Sequence, residues 1–237
     1  MIQHLRNGDI IMIKAVIFDM FETLVTHFES PVYMGKQIVN DIGISESKFR
    51  EIWDTTDDDR TLGKRTLEDV IEEILIVNNC YSTELYEKII TKRKQSKIEC
   101  FEHIHPEIVP FFKALKEKNI KIGLITNCYS EERDVIKNSI FWDYFDSACM
   151  SCELGMKKPD VNIFKKCMND LSVEPEECLY IGDGGSFELE TARTLGMNPI
   201  QAAWYLKDGV NQPAKRKMDF KQADSPLELI SNVFNEF

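Results

Sequence analysis

The segment Phe18-Asp19-Met20-Phe21-Glu22-Thr23-Leu24 follows directly on the apolar run Ile13 to Ile17. A buried strand that stops at a lone aspartate sets a carboxylate at the strand's carboxyl end, the edge where open α/β sheets bind ligands. Such a carboxylate can attack phosphorus or carbon and form a covalent intermediate, which splits one hard step into two. A second apolar run, Ile120 to Ile125, ends at Thr126-Asn127, and a third, ending Tyr180-Ile181-Gly182, stops at Asp183 with Glu188 five residues on. Between them, Gly155-Met156-Lys157-Lys158-Pro159-Asp160 carries a lysine into a helix-period segment. Hard cations prefer oxygen ligands, and Mg²⁺ keeps waters beside one or two carboxylates. Taken singly, each of these residues is equally well a turn or capping group.

The elements that must position them alternate. Strand-like runs at Lys14–Phe18, Ile120–Ile125, Ala148–Met150, Cys178–Ile181 and Pro199–Ala203 are mostly separated by helix-period segments. Those at Glu107–Lys118, Asn162–Leu171 and Phe187–Leu195 are examples, the last closed by Gly196 as a C-cap. This alternation predicts an α/β fold with a parallel sheet covered on both faces. Residues 28–103 break it with four helical patterns and no convincing strand: Val32–Ile42, Ser45–Thr55, Thr66–Val77 and Thr83–Phe101. Ser45 and Thr66 read as helix starts, with Asp69 at the capping-box position of the second. Lys207–Asp224 reads as a surface loop and Pro226–Phe234 as a closing helix.

Together, in this order, the four segments resemble the motifs of the haloacid dehalogenase-like (HAD) hydrolases. The resemblance implies a Rossmann-like core over 12–27 and 104–237, flanked by helices, with an inserted α-helical cap over 28–103 that covers the sheet's carboxyl edge. It also implies roles. Asp19 is the nucleophile, Thr126 hydrogen-bonds the transferring phosphoryl group, and Lys158 holds both. Lys158 is preferred to its neighbour Lys157 because it directly precedes Pro159. Asp19, Asp183 and the backbone carbonyl of Phe21 would ligate Mg²⁺, with Glu188 acting on the metal through a water. Thr23 and Asn127 would flank the substrate, a small phosphate ester.

One position departs from the family pattern, which is usually Asp-x-Asp-x-Thr. Phe21 stands where phosphatases of the family carry a second aspartate that protonates the leaving oxygen and then activates water. General acid–base help of that kind is worth about 10²–10⁴ in rate. Glu22 is adjacent, but neighbouring side chains of an extended chain point to opposite faces, so it can substitute only if the loop turns. Three functions fit: a Mg²⁺-dependent phosphatase without the usual acid, a 2-haloacid dehalogenase whose halide leaves unprotonated, or a catalytically weak phosphate- or metabolite-binding protein.

Composition narrows the rest. The 237 residues carry a net charge of −11, with 43% hydrophobic and 29% charged residues. That balance argues against a nucleic-acid partner, which needs clustered Lys and Arg; Lys92-Arg93-Lys94 and Lys215-Arg216-Lys217 read as solvated surface. No apolar run approaches the roughly 18 residues of a membrane span, and Met1 to Met12 lacks a signal peptide's apolar core. Residues 1–11 read as a dispensable leader. Seven cysteines, an odd number, point to a reduced cytoplasmic protein.

Arg60, Lys64 and Arg65 read as a solvated inter-helix loop, Trp53 and Trp142 as packing aromatics, and His103 and His105 as a packing or hinge feature. Cys128, two residues after Thr126, is a candidate oxidant-sensitive thiol. Nothing in the chain fixes its oligomeric state.

Overall fold

Ala15-Val16-Ile17-Phe18 is apolar at every position, so it needs cover on both faces, and it forms β1 (Ala15–Phe18) at the middle of the sheet. The structure, a computed structural model, describes residues 12–207 and 214–230. After β1 come five consecutive helices: α1 (Gly35–Ile42), α2 (Glu46–Trp53), α3 (Asp57–Thr61), α4 (Leu67–Val77) and α5 (Thr83–Cys100). The alternating part then runs α6 (Ile108–Glu117), β2 (Lys121–Thr126), α7 (Ser130–Lys137), β3 (Ser147–Met150), α8 (Ser151–Leu154), α9 (Val161–Leu171), β4 (Cys178–Gly182), α10 (Glu188–Leu195), β5 (Asn198–Ala202) and β6 (Lys221–Ala223).

The six strands are parallel in the order β3-β2-β1-β4-β5-β6. Phe18 pairs with Leu124 on one side and Ile181 on the other. The strand order reverses between β1 and β4, which makes their carboxyl ends the switch point where such sheets open a crevice. Asp19 follows β1 and Asp183 follows β4, and the Asp19 N–H donates to the Ile181 carbonyl at 2.9 Å. Phe18, Phe111, Phe112 and Ile136 fill the core on one face of the sheet, and Tyr180, Phe164, Leu171 and Leu189 fill it on the other. The helical block has its own core around Ile38, Phe49, Ile71, Ile74 and Ile89. Ser45 and Thr66 cap α2 and α4 as expected, the second through a reciprocal Thr66–Asp69 box.

Three elements differ from the sequence reading. The Lys207–Asp224 stretch contains the short edge strand β6, whose Lys-Gln-Ala sequence carries no apolar run to betray it. Within the helical block α3 is an additional short helix, begun by three aspartates that favour a helix N-terminus. Between β2 and β3, α7 went unread because its Ser-Glu-Glu-Arg-Asp start offers no apolar stripe. The closing segment forms a 3₁₀ turn at Pro226–Leu229, and the rest of that expected helix, like the leader 1–11, lies outside the described residues. Among the described residues no helix is long and apolar enough to cross a membrane.

The helical block rests on the sheet's carboxyl edge. Tyr129 donates its hydroxyl to Asp57 at 2.6 Å, and Lys157 pairs with Asp58. Gly63 sits with φ +71°, and a Cβ there would lie 1.9 Å from the Cys152 carbonyl oxygen. Both the left-handed backbone and the close approach require glycine. Gly63→Ala is expected to cost about 2 kcal/mol or more, lowering the melting temperature by roughly 4–8 °C. An unchanged thermal melt would show that the block does not dock through this turn.

Candidate active site

Asp19 leaves β1 where the backbone stops pairing, and its Oδ1 is fixed twice. The Met20 N–H donates to it at 2.8 Å and the Lys158 ammonium at 2.6 Å. Oδ2 has no protein partner among the described residues. Lys158 is buried, and its Nζ also reaches Glu188 Oε2 at 2.5 Å. Burial alone would depress this ammonium, but Asp19 and Glu188 outweigh it and hold the group above its ordinary range. Lys157, by contrast, turns to Asp58, so the structure selects Lys158 as the lysine at the carboxylate.

Asp183 Oδ1 accepts from the Gly185 N–H at 2.8 Å, and its carbonyl accepts from the Gln201 amide at 2.7 Å. Glu188 is fully buried with both oxygens taken. Oε1 accepts from the Gly184 N–H at 3.1 Å, and Oε2 accepts from Lys158 and from the Tyr180 hydroxyl at 3.0 Å. Gly182 makes room for it, since a Cβ there would lie 2.0 Å from Glu188 Oε1.

Oxygens of Asp19, Asp183 and Glu188 lie within 4.8 Å of one another. Three buried carboxylates face one lysine, an excess of negative charge in a low dielectric. Burial, and then Glu188, push Asp19 up to about 7; burial, and then Asp19, push Asp183 up to about 7. Burial also raises Glu188. The donor set suits a small hard cation. With Glu188 committed to Lys158, the free oxygens that fit one belong to Asp19 and Asp183.

The other expected site residues divide. Asn127 lines the cavity, but its side chain clasps the backbone of Lys158: Oδ1 accepts from the Lys158 N–H at 2.8 Å and Nδ2 donates to the Lys158 carbonyl at 3.0 Å. Thr126 and Thr23 are both buried, each with a hydroxyl oxygen that has no partner. Neither lines the cavity, and the Thr23 carbonyl accepts from the Trp204 indole at 2.9 Å.

A cavity of about 660 Å³ opens over Asp19, within the range of small-molecule sites. The core lends it Asp19, Phe21, Lys158 and Asp183; the helical block lends it Met34, Trp53, Thr61 and Arg93, among others. Phe21 lies flat on His27, ring centroids 4.6 Å apart, with Phe101 edge-on at 6.4 Å. The loop does turn at Glu22, whose φ is +58°, but the turn carries the carboxylate into a buried network. Glu22 Oε2 accepts from the Thr26 hydroxyl at 2.6 Å, and Oε1 accepts from the His27 N–H at 2.9 Å and faces its Nδ1 at 3.2 Å. His27 Nε2 lies 2.8 Å from Lys97 Nζ, and Lys97 pairs with Glu132 at 2.5 Å. Burial, and then Lys97, lower the imidazole's pKa, so its neutral form donates from Nδ1 to Glu22 and accepts at Nε2.

Sequence reading missed this network and misread two residues near it. Arg93, taken as solvated within Lys92-Arg93-Lys94, is buried, donating to Tyr33 O at 3.0 Å and Glu131 at 3.3 Å. Arg60, taken as part of a solvated loop, is 1% exposed and lies between the Trp53 and Tyr129 rings at 3.8 and 4.7 Å. A basic run on a polar helix looks like surface; only the facing Glu131 and Glu132 of α7 make burial affordable.

A family model described as haloacid dehalogenase-like hydrolase matches residues 13–196. The rhythmically expressed gene 2 protein of Drosophila melanogaster is 37% identical over 87 residues, 35% of this chain and 34% of that one. A glyceraldehyde 3-phosphate phosphatase of Methanopyrus kandleri is 27% identical over 135 residues, 54% of this chain and 56% of its own. The chain therefore matches only about a third to about half the length of these two curated relatives. A putative pyrophosphatase, PpaX, of Clostridium perfringens is 26% identical over 235 residues, 94% of this chain and 98% of that one. Among solved structures, a HAD family enzyme from Bacteroides thetaiotaomicron in complex with magnesium and inorganic phosphate superposes with TM-score 0.62 at 19% identity. It covers 84% of this chain and 96% of its own.

Removing one partner of a buried ion pair leaves the other charge stranded, at a cost of about 3–5 kcal/mol. Lys97→Met should destabilise by that amount in urea unfolding, and Lys97→Met/Glu132→Leu should recover most of it. A near-neutral single variant would mean that water reaches Glu132.

Proposed function

Because the chain belongs to the haloacid dehalogenase-like hydrolases, we propose that this hydrolase is a Mg²⁺-dependent phosphatase of a small phosphorylated metabolite, acting through an aspartyl-phosphate on Asp19. The observation that carries the reading is Lys158, buried and hydrogen-bonded to both Asp19 and Glu188 with Asp183 alongside. A dehalogenating carboxylate has no need of this second acid.

The Asp19 carboxylate, oriented at Oδ1 by Lys158 and the Met20 N–H, attacks phosphorus through one oxygen and leaves the other for the cation. Lys158 stabilises charge on the phosphoryl oxygens as it develops. Its ammonium is held by Glu188, and its backbone by Asn127. Thr126 and Thr23, buried outside the cavity lining with unpartnered hydroxyls, support the strand end and the loop beneath Asp19. Asp19, Asp183 and the Phe21 carbonyl would hold Mg²⁺, with Glu188 behind them. When bound, the cation neutralises the dianionic substrate against the carboxylates. The helical block 28–103 acts as a cap that excludes water and selects the substrate. The substrate is the partner we assign, with no nucleic acid and no membrane. Seven free cysteines fit a reducing cytoplasm.

One observation favours a second reading. Phe21 suits a leaving group that needs no proton, as in 2-haloacid dehalogenation by Asp19. Halide release from 2-chloro acids with chelator present, and no phosphate release from any ester, would establish that reading instead.

Phosphate release from a panel of phosphate esters should require Mg²⁺, stop with chelator, and fall by at least about 10³-fold in Asp19→Asn. Turnover that survives in Asp19→Asn would overturn the proposal. The metal should also bind in a pH-dependent way. Carboxyls raised to about 7 hold protons below that pH and compete with the cation. Mg²⁺ affinity measured by calorimetry should therefore rise at least about tenfold between about pH 6 and about pH 8. A flat profile would place the metal elsewhere.

A further inference from the structure

We infer that the enzyme acts on substrates whose leaving group departs as a stable, unprotonated anion, acyl phosphates and phosphoanhydrides, and discriminates against alkyl phosphate esters. The inference rests on the phosphatase reading and concerns the same site.

What carries it is the surroundings of Phe21. The side chain two residues after the nucleophile lines the cavity with a hydrocarbon ring. The ring is packed against His27 and Phe101. Proton-transfer groups that line the cavity are paired: the Tyr129 hydroxyl donates to Asp57, Lys157 pairs with Asp58, and Glu22, His27 and Lys97 are closed into one another. Both Glu22 oxygens accept protein hydrogen bonds, from Thr26 and His27. Both His27 nitrogens are engaged, one with Glu22 and the other with Lys97. Lys97 is held by Glu132, whose second oxygen accepts from the Tyr129 N–H at 2.9 Å. To lend a proton to substrate, any of them would break a buried hydrogen bond and strand a charge, which is costly. Lys158 is committed to two carboxylates.

The two steps follow from this. In the first, a lone pair of the Asp19 carboxylate forms the new O–P bond. The P–O bond to the leaving group breaks, and its electron pair stays on the leaving oxygen. With no acid beside it, that oxygen must carry the charge away, as carboxylate or phosphate does and alkoxide does not. In the second, water oxygen bonds to phosphorus, the Asp19–phosphorus bond returns its pair to the carboxylate, and the water proton passes to a phosphoryl oxygen or to solvent. Glu22, His27 and Lys97, closed into their own hydrogen bonds, do not accept it, so this step is slow and common to all substrates.

The experiment uses the full chain with Mg²⁺ and four probes: acetyl phosphate, pyrophosphate, 4-nitrophenyl phosphate and glycerol 1-phosphate. We expect kcat/KM for glycerol 1-phosphate to lie at least about 10²-fold below the acetyl phosphate value, the range a general acid would otherwise supply. The good substrates should share one kcat, and 4-nitrophenyl phosphate should show a burst of about one nitrophenol per enzyme. Phe21→Asp should narrow the acyl-to-alkyl gap by about tenfold or more. An alkyl ester within about tenfold of acetyl phosphate in the unaltered enzyme would overturn the inference while leaving the phosphatase reading intact. So would a folded Phe21→Asp with an unchanged gap. Absence of phosphate release from all four would overturn both.

Discussion

Everything at the sheet's carboxyl edge is arranged around one buried ammonium. Lys158 lies within 2.6 Å of Asp19 and 2.5 Å of Glu188, and it is the direct cationic partner of both. Three carboxylates gathered within 4.8 Å would repel one another strongly in a low dielectric. The lysine offsets part of that cost, and burial raises the carboxyls toward neutrality for the rest. The remaining imbalance makes the site receptive to a cation. The supporting geometry serves the same end: Asn127 clamps the Lys158 backbone, Gly182 leaves space for Glu188, and Tyr180 fixes the Glu188 oxygen that faces the lysine.

A second buried charge cluster holds the helical block on the core. Arg93 and Lys97 come from α5, Glu131 and Glu132 from α7, so each helix brings charges that only the other can balance. The cluster is closed by His27 and Glu22, which links the docking of the block to the loop that follows Asp19. Phe21 sits where these two systems meet, between the acids of the catalytic edge and the hydrogen-bonded chain behind it. Its ring lies on His27 and lines the cavity. Glu22, His27 and Lys97 are therefore structural in their bonding, and an aromatic ring lines the cavity beside Asp19.

Much of this was legible in the sequence. Apolar runs ending in Asp19, Thr126 and Asp183 gave the strand ends, because a strand buried on both faces cannot hide its boundary, and the alternation with helices gave the parallel sheet. Lys158 was chosen over Lys157 from its place before Pro159, and its ammonium is the one that meets Asp19 while Lys157 pairs with Asp58. What escaped notice had polar or short signatures. The strand β6 is Lys-Gln-Ala, α7 begins Ser-Glu-Glu-Arg, and Arg60 and Arg93 look like surface in any local window. Their burial depends on partners 38 or more residues away, as in Arg93 with Glu131, or on stacking between Trp53 and Tyr129.

By itself, then, the sequence determined the sheet, its helical insertion and the order of polar groups along its carboxyl edge, since hydrophobic periodicity and strand termini are local properties. Tertiary structure alone decided which of those groups are free to act. It turned the Glu22 carboxylate into a buried network despite a favourable bend, committed Glu188 to the lysine, and set Asn127 to hold backbone. A side chain's chemistry depends on which hydrogen bonds and charges already occupy it, and those partners come from parts of the chain that meet only when it folds.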